Sequence, residues 1–593
     1  MTALGRFLHR LPVVVLAALA LHAAPPNIVI VLTDDQGYGD FACLGNPLVR
    51  TPHIDRLHAE SVRLTDFHVM PMCTPTRGQL LTGRDALANG AMNVSSGRTF
   101  LRRDLPTMAD IFGAAGYRTG QFGKWHLGDN FPYRPQDRGF HETLFYPSSH
   151  IGSAPDFWDN HYLDDTYTHN GRREKFSGYT TDIFFDEAMK WMRREAAARK
   201  PFLCYLPLAA AHGPLFVPEK YRRLYDDAPW PATMTAAQKT AAARFYGMAT
   251  NIDDNMGRLE TFLRETGLRE NTIVVFLTDN GGTAGVPVFN AGLRGRKIDL
   301  YEGGHRVPCF VRWPAGGLRA AGDVAALTTV QDVLPTLAEF AGLALPRGAK
   351  LDGLSLAPLL RGKTERLPER SLVIQFSRMQ DPVPKRGDAT VLRDRWRLVA
   401  DKELYDLATD PAQTTNVIAQ HADIAARLRA DYAQWWDGVA PRVNEFSALI
   451  VGSDAENPVQ LSPADWADAF LDQAAQVRAG VRRNGPWHIE VARAGEYRIE
   501  LRRWPRESGA AIRAALPPRP HAFGTFAAGV ALPVAAARLR VGEFDARRAV
   551  GESDASVAFT TPLPSGRTQL QTWFLDADGK EIAGAYYVYV ERR

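Results

Sequence analysis

Two apolar segments that lie far apart in the chain both end in oxygen-bearing side chains, and this pattern constrains the fold most. Residues 27–32 and 272–277 are short runs that are apolar after their first residue and rich in β-branched residues. Such runs are typical of strands buried on both faces, as in parallel sheets. Because open α/β sheets bind their ligands at the carboxyl ends of the strands, the side chains that follow both runs are predicted to form one site. These side chains are Asp34, Asp35, Asp279 and Asn280.

Strand-like and helical patterns alternate from residue 26 to about residue 360. The helical patterns cover residues 52–61, 105–115, 181–198 and 241–266. This alternation predicts an α/β fold with a doubly wound sheet. At 593 residues the chain is too long for one hydrophobic core, so more than one domain is expected.

The side chains at the two strand ends offer a metal ion only oxygen ligands. Three carboxylates and one amide, without His or Cys, favour a hard divalent cation. Ca²⁺ is the simplest choice and Mg²⁺ the second. In the alternative interpretation, Asp34 and Asp279 only cap turns.

A cysteine lies in a distinctive run, Cys-Thr-Pro-Thr-Arg at residues 73–77, which continues into Leu-Thr-Gly-Arg at residues 81–84. Pro75 fixes the backbone two residues after the cysteine, and Arg77 offers a planar fork for an oxyanion. The arrangement predicts a nucleophile at the N-terminus of a helix. The alternative is a small buried apolar residue or one half of a disulfide.

This run resembles the signature of the type I sulfatases, a branch of the alkaline phosphatase superfamily. In that family the cysteine is oxidised to formylglycine, an aldehyde whose hydrate is the nucleophile. The resemblance therefore implies a formylglycine at position 73 and a formylglycine-generating enzyme as a partner. It also implies that the metal ligands are Asp34, Asp35, Cys73, Asp279 and Asn280.

Three further segments match positions that bind sulfate or move protons in the sulfatases. Lys124 and His126 follow a predicted strand, and because strands alternate faces, residues two apart are predicted to point the same way. His212 ends another predicted strand, and Lys297 follows the second acidic cluster. Taken singly, such residues are more often structural or solvated. The resemblance as a whole implies that the catalytic residues are Cys73, Arg77, Lys124, His126, His212 and Lys297.

The first residues have the outline of a secretory signal peptide. Basic residues precede an apolar run at residues 11–21, which small residues follow, and the run is short for a membrane span. An uncleaved anchor is the alternative. Since no later apolar run has spanning length, the sequence predicts a periplasmic or secreted protein without a stable membrane span after signal cleavage.

The overall charge of the chain does not indicate a polyanionic partner. The formal charge of +4 is spread over 70 basic and 66 acidic residues. Such a balance creates no large cationic field, so no nucleic-acid partner is expected.

The sequence divides into four regions. Residues 1–23 are the signal peptide, residues 24–365 the catalytic domain, and residues 366–445 resemble the small C-terminal subdomain of sulfatases. Residues 455–593 contain short alternating segments with turns between them, which predict an appended β-sandwich. Packing against the catalytic domain is expected for it, with carbohydrate binding as the alternative role.

Three functions are compatible with these patterns. The first is hydrolysis of a sulfate monoester on a sulfated glycan or an aryl sulfate. The second is hydrolysis of a phosphonate monoester or phosphodiester with the same aldehyde nucleophile. The third is a non-catalytic carbohydrate-binding protein that has kept the fold. The turn-rich segment at residues 146–179, which shows little periodicity, is expected to border the pocket mouth.

Overall fold

A mixed ten-stranded sheet forms the centre of the computed structural model, which describes residues 24–593. The predicted signal peptide lies outside the described residues. The central strands, from Thr272–Thr278 to Glu142–Tyr146, are parallel, as predicted for a doubly wound α/β fold. From edge to edge the strands are Gly322–Val324, Val62–Leu64, Cys309–Arg312, Thr272–Thr278, Asn27–Thr33, Phe202–Pro207, Arg118–Lys124, Glu142–Tyr146, Thr166–His169 and Arg172–Lys175. A short parallel pair, Phe67–His68 and Thr328–Thr329, lies beside this sheet.

Helices cover both faces of the main sheet. Along the strand Asn27–Thr33, Val29 and Val31 belong to one apolar core, whereas Ile28 and Ile30 belong to the other. Both faces are therefore buried, which explains why the strand has no polar alternation. The α-helices of this part of the chain are Pro52–Ala59, Cys73–Thr82, Ala86–Asn89, Met108–Ala114, Thr180–Ala197, Glu219–Arg222, Ala236–Glu265, Glu302–His305, Val333–Phe340 and Ala357–Leu360.

Two segments differ from the sequence-based expectations. The long helix Ala236–Glu265 begins earlier than predicted, because Thr235 and Gln238 form a capping box ahead of its apolar stripe. The segment 146–179, expected to be a loop, contains the strands Thr166–His169 and Arg172–Lys175. The second of these strands is wholly exposed, so no apolar alternation marks it in the sequence.

A small antiparallel sheet follows the catalytic domain. Its four strands are Leu372–Ile374, Thr390–Arg393, Trp396–Val399 and Glu403–Asp406, and the helix Ala422–Val439 packs on it. Arg397 joins this sheet to the catalytic domain, because its buried guanidinium donates to Glu302 Oε1 at 2.8 Å and to Asp66 Oδ1 at 3.0 Å. Glu302 follows the loop that carries Lys297, so the ion pair holds the end of that loop in place.

The C-terminal module, residues 446–593, is a β-sandwich with a six-stranded and a four-stranded sheet. The first sheet contains Leu449–Val451, Trp487–Val491, Gly566–Leu575, Ala536–Val541, Phe544–Ala549 and Glu581–Ala583. The second contains Val459–Leu461, Tyr587–Arg592, Gly495–Arg502 and Val557–Leu563. A hairpin of Arg519–His521 and Gly524–Phe526 and the helix Ala474–Arg478 complete the module.

The C-terminal module packs against the catalytic domain through a shared apolar core. Phe100, Tyr133 and Trp158 of the catalytic domain belong to the same buried cluster as the inner residues of the module. Trp466 also lies in this cluster and contacts aromatic residues of the module. Trp435 instead donates to Asp85 Oδ2 at 2.6 Å, beside the small antiparallel sheet.

Across residues 24–593, the structure contains no helix with both the length and the apolar character needed to cross a bilayer.

We predict that a chain ending at residue 445 will aggregate or melt at a lower temperature than the full-length protein. Removal of the module uncovers Phe100, Tyr133 and Trp158, which together form an apolar patch. Size-exclusion chromatography and thermal melts of both chains test this. A monodisperse truncated protein with an unchanged melting temperature would contradict the shared core.

Candidate active site

Acidic and amide side chains meet at the carboxyl edge of the main sheet. Asp34 and Asp35 follow the strand Asn27–Thr33, while Asp279 and Asn280 follow the neighbouring strand Thr272–Thr278. The two strands are in register up to their last residues. The backbone N–H of Asp35 donates to Asp279 Oδ1 at 3.3 Å. The structure thus brings together the oxygen donors that the sequence predicted to converge.

Three cationic side chains are paired with these carboxylates. Arg77 donates to Asp279 Oδ2 from Nε at 3.1 Å and from Nη2 at 2.7 Å. Lys124 Nζ donates to Asp34 Oδ2 and Lys297 Nζ to Asp35 Oδ1, both at 2.5 Å. The site therefore holds as many cationic groups as carboxylates. Those cationic groups are Arg77, Lys124 and Lys297.

Two oxygen atoms of this cluster lack hydrogen-bond partners. Asp34 Oδ1 and Asn280 Oδ1 are buried and accept no hydrogen bond from the described residues. Burial raises the pKa of both Asp34 and Asp279, and the repulsion between these two carboxylates raises the pKa of Asp279 further. Burial also acts on Asp35, but Lys297 and His212 hold the pKa of that carboxyl below its usual range. Unsatisfied oxygens and desolvated carboxylates in one place fit a hard divalent cation.

Cys73 is the first residue of the helix Cys73–Thr82, and it faces a histidine whose tautomer can be assigned. His126 Nε2 lies 2.9 Å from the carbonyl oxygen of Val94, which can only accept, so Nε2 carries the proton. His126 Nδ1 therefore presents a lone pair to Cys73 Sγ at 3.4 Å. Burial and then the charge of Lys124 lower the pKa of His126 well below its usual value. The ring is therefore neutral and presents its lone pair to the group at position 73.

The prediction that strand alternation points the side chains of Lys124 and His126 in the same direction is wrong. The strand ends at Lys124, and His126 lies beyond it with a φ of 59°. Its side-chain direction is therefore set by this left-handed backbone conformation and not by strand pleating. Both side chains nevertheless reach the site, Lys124 at Asp34 and His126 at Cys73.

His212 and Lys297 differ in charge. His212 Nδ1 lies 2.6 Å from the carbonyl oxygen of Gly213, so Nδ1 carries the hydrogen of the neutral ring. Burial and the charge of Lys297 lower the pKa of His212 to about 3. Burial also disfavours the charged form of Lys297, but Asp35 raises the pKa of this ammonium above its usual value. Of these two residues, Lys297 is the one that is charged at neutral pH in this structure.

A chain of polar groups that no sequence motif predicted lies beside His212. The rings of His150 and His212 stack with centroids 5.4 Å apart. His150 Nδ1 lies 2.7 Å from Ser149 Oγ, which in turn donates to Asp472 Oδ2 at 3.0 Å. Ser149 and His150 lie in the segment 146–179 that was expected at the pocket mouth, but no motif singled them out. Asp472 belongs to the C-terminal module.

A cavity of about 470 Å³ opens at this site. Its lining includes Cys73, His212 and Lys297, together with Met379 from the segment between the first two strands of the small antiparallel sheet and residues of the C-terminal module. Arg77, Lys124 and the carboxylates lie behind it and are buried.

Comparison with known proteins places this geometry in a family. A family model described as Sulfatase matches residues 26–343, and a second, described as N-sulphoglucosamine sulphohydrolase, C-terminal, matches residues 296–435. Among solved structures, that of Ps i-CgsB in complex with k-i-k-neocarrahexaose is 26% identical, with a TM-score of 0.61 over 70% of this chain and 93% of that chain.

Curated relatives agree with the family models. Human (Homo sapiens) arylsulfatase A is 33% identical over 396 residues, which cover 60% of this chain and 72% of the relative. N-acetylgalactosamine-6-sulfatase of Rattus norvegicus is 30% identical over 375 residues, which cover 58% of this chain and 68% of the relative. Since the Sulfatase model also spans more than half of the sequence, the chain belongs to the sulfatase family.

Proposed function

We propose that this protein is a sulfuric ester hydrolase that cleaves a sulfate monoester of a sulfated glycan or an aryl sulfate. The observation that carries the proposal is that Cys73, at the start of a helix, faces the lone pair of a neutral His126 beside the buried carboxylate cluster. The relatives are named for arylsulfatase and N-acetylgalactosamine-6-sulfatase activity, which supports the same chemistry here.

The carboxylate cluster is the proposed metal site. Asp34, Asp35, Asp279, Asn280 and residue 73 would hold a divalent cation, with Ca²⁺ favoured over Mg²⁺ because all the protein donors at the strand ends are oxygens. The two unpartnered oxygens in this cluster support the assignment. When bound, the cation supplies Lewis-acid stabilisation of negative charge on the sulfate group.

Cys73 is the proposed site of formylglycine, made by a formylglycine-generating enzyme. The hydrated aldehyde supplies a hydroxyl nucleophile and, after transfer of the sulfate, a second hydroxyl whose deprotonation releases it. His126 Nδ1 is placed to accept that proton, because its lone pair points at residue 73. A serine could accept the sulfate but could not release it in this way.

The cationic side chains complement the sulfate group. In this structure Lys124 and Lys297 lie in short contact with Asp34 and Asp35. A cation held by the carboxylates would take over part of this charge balance, which would leave N–H groups of Arg77, Lys124 and Lys297 for sulfate oxygens. Lys297, which is charged, or His212 donates the proton that the leaving alcohol requires.

The organisation of the whole chain follows from the same proposal. We place the catalytic domain at residues 24–365 and its C-terminal subdomain at residues 366–445. The accessory β-sandwich, predicted at residues 455–593, begins earlier, because its strand Leu449–Val451 pairs with Trp487–Val491. Residues 1–23 would direct export, which leaves the mature protein in the periplasm or outside the cell.

A direct comparison of two substrates tests the proposed reaction. An aryl sulfate and the aryl phosphonate with the same leaving group are assayed with the matured enzyme. The proposal predicts a higher kcat/KM for the sulfate. A preference for the phosphonate would instead favour the alternative phosphonate or phosphodiester hydrolase, and binding without turnover of either ester would favour a non-catalytic protein.

The nucleophile is tested at Cys73. We predict that mass analysis of the matured protein shows an aldehyde at residue 73, and that Cys73→Ala lowers kcat by at least about 10³-fold, because loss of a covalent nucleophile removes most of the rate enhancement. Cys204→Ala is the matched control, since Cys204 is equally buried but lies within a strand away from the cavity. Full activity of Cys73→Ala, or of protein with an intact thiol, would contradict the mechanism.

A further inference from the structure

We propose that the C-terminal module builds a subsite in the active-site cavity that binds the alcohol half of the substrate, and that this half is a sugar. The inference rests on the proposed function, because it concerns the group to which the sulfate is attached. The subsite consists of Phe470, Asp472 and Gln473, which we call the module segment.

The module segment lines the same cavity as the catalytic residues. Cys73, His212 and Lys297 of the catalytic domain and all three residues of the module segment line it. Residues 470–473 lie beyond both matched family regions, which end at residues 343 and 435. The contribution of this segment is therefore a property of this chain and is not assigned by the family match.

The module segment is held firmly against the catalytic domain. The backbone N–H of Ala154 donates to the carbonyl oxygen of Asp472 at 2.7 Å, and the N–H of Ala474 donates to that of Gly152 at 3.1 Å. Gln476 Oε1 accepts from the backbone N–H groups of Asp472 and Gln473, each at 3.1 Å. A segment fixed in this way loses little conformational freedom when it binds a ligand.

Asp472 has one acceptor atom left unused. The residue is 4% exposed, and Oδ2 accepts from Ser149, whereas the buried Oδ1 has no partner among the described residues. Burial raises the pKa of Asp472 to about 6, while Lys124 and Lys297 act in the opposite direction. At neutral pH the group is therefore a carboxylate, and the positive charges of Lys124 and Lys297 act on it.

The unused oxygen of Asp472 indicates what the ligand must provide. An unpaired buried acceptor is costly, so a hydrogen-bond donor is favoured beside it. A sulfate group offers only acceptor oxygens, so the donor must come from the alcohol half. A sugar supplies hydroxyl or amide N–H donors, whereas a plain aryl group supplies none.

The rest of the cavity fits the same ligand class. Phe470 of the module and Met379 beside it are apolar and half-buried, and they can contact the C–H face of a sugar ring. The amide of Gln473 is exposed and can both donate and accept. The volume of about 470 Å³ is within the range of small-molecule sites and leaves room for more than one ring.

The test compares two substrates with variants of the full-length, matured enzyme. The substrates are N-acetylgalactosamine 6-sulfate and 4-nitrophenyl sulfate, and the variants are Asp472→Asn and Phe470→Ala. Asp472→Asn keeps the side-chain shape but replaces one acceptor oxygen with a donor. The matched control is Asp578→Asn, the same change at an exposed residue of the module whose side chain neither lines the cavity nor pairs with another described residue.

We expect Asp472→Asn and Phe470→Ala to lower kcat/KM for the sugar sulfate by about tenfold or more, the size of one lost buried hydrogen bond or apolar contact. The value for 4-nitrophenyl sulfate should change by less than about threefold, and the Asp578→Asn control should leave both values unchanged. Equal losses on both substrates would overturn the proposal, because they would place the segment at the sulfate end. No loss on either substrate would overturn it as well.

Failure of the proposed function gives a different result. If the wild-type enzyme hydrolyses neither ester, the proposed function is contradicted. The subsite is then tested by calorimetric titration of N-acetylgalactosamine 6-sulfate into the unmatured protein. Weaker binding to Asp472→Asn than to wild type and Asp578→Asn would support the subsite. Equal binding to all three proteins would contradict it.

Discussion

The burial of three carboxylates at one edge of the main sheet is the constraint on which the rest of the site depends. Asp34, Asp35 and Asp279 are almost completely buried, so their charges must be balanced within the protein. The balance comes from three separate parts of the chain: a helix supplies Arg77, a strand end Lys124 and a loop Lys297. A divalent cation would leave an excess of positive charge, which suits an anionic ester.

The doubly wound sheet makes this concentration of charge possible. Parallel strands end at the same edge, so the segments that follow them meet there although they are far apart in sequence. The helix Cys73–Thr82 is wholly buried against one face and places its first residue beside the carboxylates. The C-terminal module contributes to the cavity lining and shares a core with the catalytic domain. The buried charges and part of the cavity lining therefore come from different parts of the chain.

Much of the fold and the site could be predicted from the sequence, because the signals are local. The strand before Asp34 and the helix after Cys73 are marked by apolar runs and a Pro-containing motif. The exposed strand Arg172–Lys175 has no such signal, since its pairing comes only from its neighbour. Asp472 was also missed, because its role depends on a contact with Ser149, more than three hundred residues away in sequence. The direction of His126 depends on a left-handed backbone that periodicity does not encode.

A crystal structure of the matured protein in the presence of Ca²⁺ tests the central claim most directly. The account predicts a cation bound by Asp34, Asp35, Asp279 and Asn280, with oxygen distances of about 2.3–2.6 Å. It also predicts that Lys124 and Lys297 have moved away from the carboxylates towards the sulfate position. A fully active enzyme whose Asp34 and Asp35 remain paired with these lysines, with no cation between the carboxylates, would contradict it.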